Sequence, residues 1–598
     1  MPIGSRSLLT VLRFLAAVTV AVHRSEALAA SVTWIPNGLP VGPADSTQQT
    51  PVIASDGNGG AFIVWEDWRS GQNTHTFAQH LTSTGEPASG WSVGGRQVSF
   101  DGYRDHPVVI ADGSDGAYIS DDGTATFGVG GFGVDRAYHI GSDGNPAGGW
   151  PAVGVTATGD PYGTPGGVHG DYLPSMAADG VGAVYLSWTY RDRFSENVKL
   201  IRFMPDGTNA SGWPPGGAYA AMKFTFDQAP VTSCPDGSGG VYLAWSEFSA
   251  YIYVTRFSAS GVVPLGWPVR VAPNTVYQAA PGVVPDGTGG VIVAWQDRRN
   301  GAFEQPYAQH ILADGSSAAG WPTDGLALSA AASDAGIHRD ANFDASAFRY
   351  TSIAEDGSGG AFITWTDYRD STGTGQGDIY LQHVGGSGAI PPGWPINGVG
   401  VCTAPGDQEL PTIASDGSGG AFVTWQDRRG GLDYDIYAQR LMGSGAIADG
   451  WPANGLALCT APGDQTAPVL TAANTGDAIF AWADARSGIP QIYATRVSAS
   501  GGVTGVVTSE RATFGLEGLS PNPARGTVAI AFTLPDDHPA TLEVLDVSGR
   551  RVAARAVGSL GAGRHVLRLA EPTLNPGLYF VRLVRGGRAL TSRFSIVR

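Results

Sequence analysis

Cysteine, lysine and charge are all scarce in this sequence, and each scarcity excludes something. There are three cysteines, Cys234, Cys402 and Cys459. An odd, sparse count excludes a disulfide-rich scaffold. Cys402 and Cys459 occupy one position in two similar segments, Val401-Cys-Thr-Ala-Pro-Gly-Asp-Gln408 and Leu458-Cys-Thr-Ala-Pro-Gly-Asp-Gln465. Equivalent positions of neighbouring units lie too far apart to bridge. All three are therefore expected as small buried hydrophobes. Lysine occurs only at Lys199 and Lys223, and charged residues make up 15% of the chain. No Cys/His spacing matches a zinc site. The net charge is −17, with the acidic excess in the middle of the chain and arginine common near its end. An acidic body argues against nucleic acid or anionic lipid as the main partner. Beyond the first 30 residues no apolar run is long enough to span a membrane.

What is abundant is glycine, 87 residues, and proline, 39, beside an ordinary 42% of apolar residues. Many turns with a normal apolar fraction point to many short strands rather than disorder. Residues 1–30 read as a secretory signal peptide. Arg6 and Arg13 precede the apolar stretch Phe14–Val22, and Ala27-Leu-Ala29 supplies small residues for cleavage.

Internal repetition decides the architecture. Ile413-Ala-Ser-Asp-Gly-Ser-Gly-Gly-Ala-Phe-Val-Thr-Trp425-Gln-Asp-Arg-Arg429 aligns without a gap on the segment from Ile53 to Arg69. The block recurs around Trp295 and Trp365, and more loosely around Trp188, Trp245 and Trp482. A divergent copy spans 107–120, with Ser120 read at the tryptophan position. A second block carries Gly-Trp-Pro at Trp150, Trp213, Trp267, Trp321, Trp394 and Trp451, and Gly-Trp-Ser at Trp91. Each unit divides into four strands. Asp416-Gly-Ser-Gly-Gly420 supplies the positive-φ residues of a hairpin, and four strands per unit is the content of a propeller blade.

The fold expected is all-β, a β-propeller of about eight four-stranded blades over 31–505. A linker follows at 506–515, then an immunoglobulin-like sandwich over 516–598. The phase of the repeat is informative at its start. Trp34-Ile-Pro-Asn-Gly38 matches the last strand of a unit, and the final unit lacks that strand. Trp34–Val41 is therefore expected beside Gln491–Val497, closing the ring.

The C-terminal stretch contains Pro521-Asn-Pro523, Asp546-Val-Ser-Gly-Arg550, Gly577-Leu-Tyr-Phe-Val581 and a basic, apolar end. On these pieces it resembles the type A sorting domain of the type IX secretion system and the related FlgD-like immunoglobulin domain. The resemblance covers only this domain. It implies passage across the outer membrane, with the secretion machinery as a partner through 516–598, and a secreted or outer-membrane-surface location in a Gram-negative-type bacterium. The repeats have a general likeness to bacterial propeller repeats of unassigned role.

Candidate chemistry is weighed against repetition. Trp-x-Asp-x-Arg recurs at Asp67/Arg69, Asp297/Arg299, Asp367/Arg369, Asp427/Arg429 and Asp484/Arg486. A pair present in many blades reads as a structural ladder of charge-assisted hydrogen bonds. His80, His310 and His383 occupy one position in three repeats, which explains them without a metal. The Asp-Gly-Ser-Gly-Gly turns carry one carboxylate where a calcium loop needs several. The sialidase Asp-box, Ser-x-Asp-x-Gly-x-x-Trp, is not matched, and no nucleophile elbow or phosphate loop stands out. Departures from the repeat are the better candidates, because function sits in loops on a regular scaffold. Insertion 152–172 offers Tyr162, His169, Asp171 and Tyr172, and insertion 329–350 offers His338, Arg339, Asp340 and Asp344. Both should emerge on one ring face.

The leading reading is a monomeric binding protein for an extracellular glycan or protein, with no cofactor, metal or catalytic residue expected. The alternative is a secreted polysaccharide hydrolase or lyase on the same scaffold.

Overall fold

The computed structural model describes residues 34–502 and 514–597. Positions 72, 101, 125–134, 158–169, 192–195, 222–227, 249, 275–276, 300, 302, 332–334, 337–351, 370–375, 432, 474–475, 521, 525–527, 535–538, 558–562 and 570–574 are excepted. The expected signal peptide lies outside the described residues. The chain divides into two compact units, 1–505 and 506–598.

The first unit is a β-propeller. Among the described residues it holds eight antiparallel sheets, one per repeat. Blade 7 shows the plan: Gln408–Ser415, Ala421–Asp427, Asp435–Leu441 and Leu456–Cys459 pair in sequence order. The second strand is fully buried in this blade, apolar at Ala421, Phe422, Val423 and Trp425 and polar towards its end. The glycine turn before it is held by Asp416, whose carboxylate accepts the backbone N–H groups of Ser418 and Gly420. That carboxylate also pairs with Arg440 on the third strand. The same device serves the first six blades, and blade 8 varies it: Ala473 stands at the Asp416 position and Arg496 pairs with Asp477 at the other end of the turn. Arg202, Arg256 and Arg496 take the basic role in three others, and His80, His139, His310 and His383 take it in the remaining four. The recurring histidines thus have partners in the fold.

Blades are fastened to one another twice. Eight buried apolar clusters each join two successive blades, the last uniting blade 8 with blade 1. In every blade but blade 4, whose Trp267 makes no such bond among the described residues, the tryptophan of the Gly-Trp-Pro/Ser block, where present, also donates its indole N–H to a carbonyl of the following blade. Trp91 reaches Ser142 at 2.8 Å and Trp451 reaches Ala499 at 2.9 Å. Aromatic rings with one polar atom suit such seams.

Closure follows the phase of the repeat. Leu39–Pro40 pairs with the third strand of blade 8, Leu39 opposite Ala494 and Pro40 opposite Tyr493. The indole of Trp34 donates to Ser83 in blade 1. Gly38 lies so close to Trp482 that a Cβ there would meet the ring at 2.5 Å, and its φ is +75°.

The first strands line a central cavity of about 340 Å³, to which all eight blades contribute, from Val52 in blade 1 to Val469 in blade 8. Each first strand described in full carries a register shift near its start. In six of them a non-glycine residue with positive φ precedes a proline: Thr50, His106, Leu173, Ala280, Leu410 and Ala467. Proline is tolerated because this strand is the inner edge of its sheet.

The register corrects one sequence assignment. Blade 2 places Val64 and Ser120 at equivalent positions, Val64 opposite Val52 and Ser120 opposite Val108. Asp121, not Ser120, therefore takes the tryptophan place.

The second unit is a two-sheet sandwich. Gly515–Ser520, Val528–Leu534 and Gly563–Leu569 form one sheet. Arg551–Ala556, Ala540–Asp546, Gly577–Arg585 and Arg588–Ile596 form the other. Its core holds Phe532, Leu542, Val581, Leu583 and Phe594, all buried.

Candidate functional site

The ladder defines the ring face on which the first strands begin. Asp427 has no exposed surface. It accepts the indole N–H of Trp425 at 2.8 Å, the backbone N–H of Arg429 at 2.8 Å and the Arg429 guanidinium at 2.6 Å. That guanidinium lies 3.8 Å from the centre of the Tyr437 ring and donates to the Asn454 carbonyl. The set repeats at Asp67, Asp297, Asp367 and Asp484. At Asp67 burial opposes ionisation, yet hydrogen bonds from Arg69 and Trp65 hold the carboxyl below its usual range. The arrangement is a structural unit in which both oxygens of the carboxylate are engaged.

Blades 5, 6, 7, 8 and 1 carry this ladder, and blades 2, 3 and 4 do not. In blade 3, Tyr190 stands at the aspartate place and Lys199 opposite Trp188. The Lys199 ammonium lies 4.6 Å from the Tyr190 ring centre and 5.0 Å from that of Tyr219. Blade 4 has the buried Glu247 at the aspartate place, with Arg270 stacked 4.0 Å from the centre of Tyr251.

Blade 2 departs furthest. Arg104 occupies the place that a buried glutamine, Gln48 or Gln408, holds in sister blades. It lies 3.5 Å from Asp121, both side chains being fully buried. Thr76 and Tyr138 donate to the same carboxylate at 2.7 and 3.2 Å. Burial raises Asp121 to about 6, the Arg104 charge and these donors opposing it. Gly123 makes room for the arginine: a Cβ there would lie 2.8 Å from Arg104 Cδ.

Above this pair, Asp105 and His106 of the first strand meet Asp122 of the second. His106 Nδ1 lies 3.0 Å from both Asp122 oxygens and 3.5 Å from Asp105 Oδ1. The His106 backbone N–H, presented by its φ of +53°, donates to Glu66 of blade 1. Asp122 accepts the Leu173 backbone N–H from blade 3 at 2.9 Å. Burial pushes Asp122 well above the usual carboxylate range, helped by Asp105 and Asp135, with the Leu173 N–H opposing. The neighbours Pro107 and Leu173 line the central cavity, so the cluster stands at its rim. Chemically it offers two carboxylates and an imidazole, able to accept hydroxyls, exchange a proton or ligate a cation.

Of the residues singled out from sequence, Asp171 and Tyr172 lie on the first strand of blade 3, opposite Tyr190 and Thr189. They precede Leu173 and so adjoin the partner of Asp122. Tyr162, His169, His338, Arg339, Asp340 and Asp344 lie outside the described residues. The Asp105–His106–Asp122 cluster was not singled out. Its signal in sequence is the replacement of Trp65-Glu-Asp67 by Asp121-Asp-Gly123.

Comparison with known proteins separates the two units. No curated protein matches the chain. Among solved structures, PorZ, a surface component of the type IX secretion system of Porphyromonas gingivalis, overlaps 93% of this chain and 71% of its own, at 13% identity and a TM-score of 0.31. A Dyadobacter fermentans protein of unknown function overlaps 69% and 98%, at 9% identity and a TM-score of 0.32. The Hadza microbial sialidase Hz136 overlaps 71% and 73%, at 12% identity and a TM-score of 0.32. Eight antiparallel sheets, closed by the pairing of Leu39–Pro40 with blade 8, make the first unit a β-propeller. Residues 519–597 match the family model of the secretion system C-terminal sorting domain, and the protein is accordingly a secreted or cell-surface β-propeller bearing a type IX sorting domain.

Proposed function

We propose that the propeller binds an extracellular glycan or protein ligand on the face where its first strands begin, above blades 2 and 3. One observation carries the reading. The ladder that closes this face in five consecutive blades is replaced in the other three, and the replacement brings Asp105, His106 and Asp122 to the cavity rim. The Asp105 carboxylate and the His106 imidazole, each about a quarter exposed above the buried Asp122, suit the hydroxyls of a sugar or the donors of a peptide. Insertion 152–172 leads into this sector, so Tyr162, His169, Asp171 and Tyr172 belong to the proposed surface. Within insertion 329–350, Ala335–Gly336 already pairs with the second strand of blade 6 ahead of Ile353–Glu355, and His338, Arg339, Asp340 and Asp344 are added to the proposed surface. The sorting domain supplies the address and engages the secretion machinery, while the ring supplies recognition as a monomer.

A hydrolase is the second reading, favoured by Asp105 and Asp122 sharing one hydrogen-bonded site, an arrangement that separates an acid from a base. A glycan array and a protein-binding screen with the full chain test the first reading. Release of reducing ends from the glycans bound tests the second. Binding that Asp122→Asn weakens tenfold or more, without sugar release, supports recognition. Turnover abolished by the same substitution replaces it with the hydrolase.

A further inference from the structure

We propose that Asp105, His106 and Asp122 hold a divalent first-row metal ion of the zinc or manganese class. One ligand atom from each residue lies within 4.8 Å of the other two. Ligand atoms about 2.0–2.2 Å from one zinc ion lie within about 4 Å of each other, so small side-chain rotations suffice. His106 Nδ1 already faces both Asp122 oxygens at 3.0 Å.

Two further observations point to a cation. The first is charge. Glu66, Asp105, Asp122 and Asp135 converge on this corner, and all but Asp105 are at least nine-tenths buried. The nearby Arg104 lies against Asp121, deeper in the blade. Positive charge brought to such a group lowers the cost of holding carboxylates away from water, and a cation bound at the cluster supplies it in addition to the contacts they already make. The second is singularity. At the His106 position sister blades have Thr50, Leu173, Ala280, Leu410 and Ala467. At the Asp122 position blade 1 has Glu66, itself part of this corner, and the other blades have Thr189, Ser246, Gln296, Thr366, Gln426 and Ala483. Repetition therefore explains His80, His310 and His383 but not His106.

A mixed imidazole and carboxylate set selects zinc, manganese or a related ion over calcium. Three protein ligands leave at least one coordination position open. Asp105 and His106, 24% and 23% exposed, leave that position facing solvent. An open position of this kind would take a hydroxyl or carboxylate of the ligand proposed above, but the metal site does not depend on that ligand.

The test is calorimetric titration of the untagged full chain, freed of metal by chelator, with ZnCl2 and with MnCl2. Each titration is repeated on Asp122→Asn, His106→Asn and His80→Gln. Asparagine tolerates the positive φ at 106, and thermal melting checks that each variant is folded. The expected result is one ion per chain for at least one metal, weakened tenfold or more by Asp122→Asn and by His106→Asn, and unchanged by His80→Gln. Absence of stoichiometric binding of both metals overturns the proposal. So does binding that folded Asp122→Asn and His106→Asn proteins retain in full. A metal site with no ligand in the binding screen would sink the proposed function and leave this inference standing.

Discussion

Asp427 is a charge with no exposed surface, and its environment explains why the fold tolerates it. Three donors converge on the carboxylate, and the arginine among them is itself stacked on Tyr437. Arg429→Ala removes the guanidinium while leaving the acid in place. The uncompensated carboxylate then costs about 1–3 kcal/mol. Chemical denaturation should show this as a lower midpoint, while ligand binding by the remaining native protein is unchanged. Loss of binding at an unaltered midpoint would instead put the ladder in the site. The ladder was legible in sequence because it recurs with fixed spacing. The Asp105–His106–Asp122 cluster was not. Asp105 and His106 stand where Gln49-Thr50 stands before a proline, so they read as one more inner-strand bulge. Asp122 reaches them only through the strand register, which that bulge shifts.

At the scale of the element, four strands per unit were legible because each kind of strand has its own marker. A glycine hairpin opens the second strand, and Trp-Pro-x-x-Gly opens the fourth. The divergent blade 2 lacks the tryptophan marker, so its sequence points to Ser120 where the register has Asp121. Period-two side-chain alternation makes a slip of one residue consequential. It exchanges the residue facing blade 1 for one on the opposite face of the sheet. The closing strand was legible from phase alone, and the structure shows what it contributes. Trp34, Leu39 and Val41 are buried in the seam between blades 8 and 1, and the Asn37 carbonyl accepts the ladder arginine Arg486 at 2.6 Å. Burying a large apolar side chain contributes about 1.5–3 kcal/mol. Deleting 34–41 removes three such residues, leaves Arg486 without that acceptor and bares the third strand of blade 8 as an edge. The melting temperature of the deleted protein should fall by several degrees, with new proteolytic cuts beginning in blade 8 or blade 1. An unchanged melting curve would mean that the ring closes by other contacts.

At the scale of the whole molecule, the chain divides into two compact units. The ring ends its repeats before 505, and the sandwich has its own core of Phe532, Leu542, Val581, Leu583 and Phe594. A domain with its own core folds without its neighbour's help. The sandwich also contains the residues matched by the sorting-domain family. The address and the propeller should therefore be separable in both directions. In a host with type IX machinery, a chain lacking 506–598 should melt as the ring does in the full protein yet accumulate inside the outer membrane. Residues 506–598 fused behind a periplasmic reporter should carry the reporter to the surface or the medium. Fractionation with added protease as the surface control reads both outcomes. If the truncated chain reaches the surface as efficiently as the full chain, the sandwich is not what exports the propeller. If the fusion is exported but the truncated ring is unfolded, the sandwich has a second, structural task that its separate core gives no reason to expect.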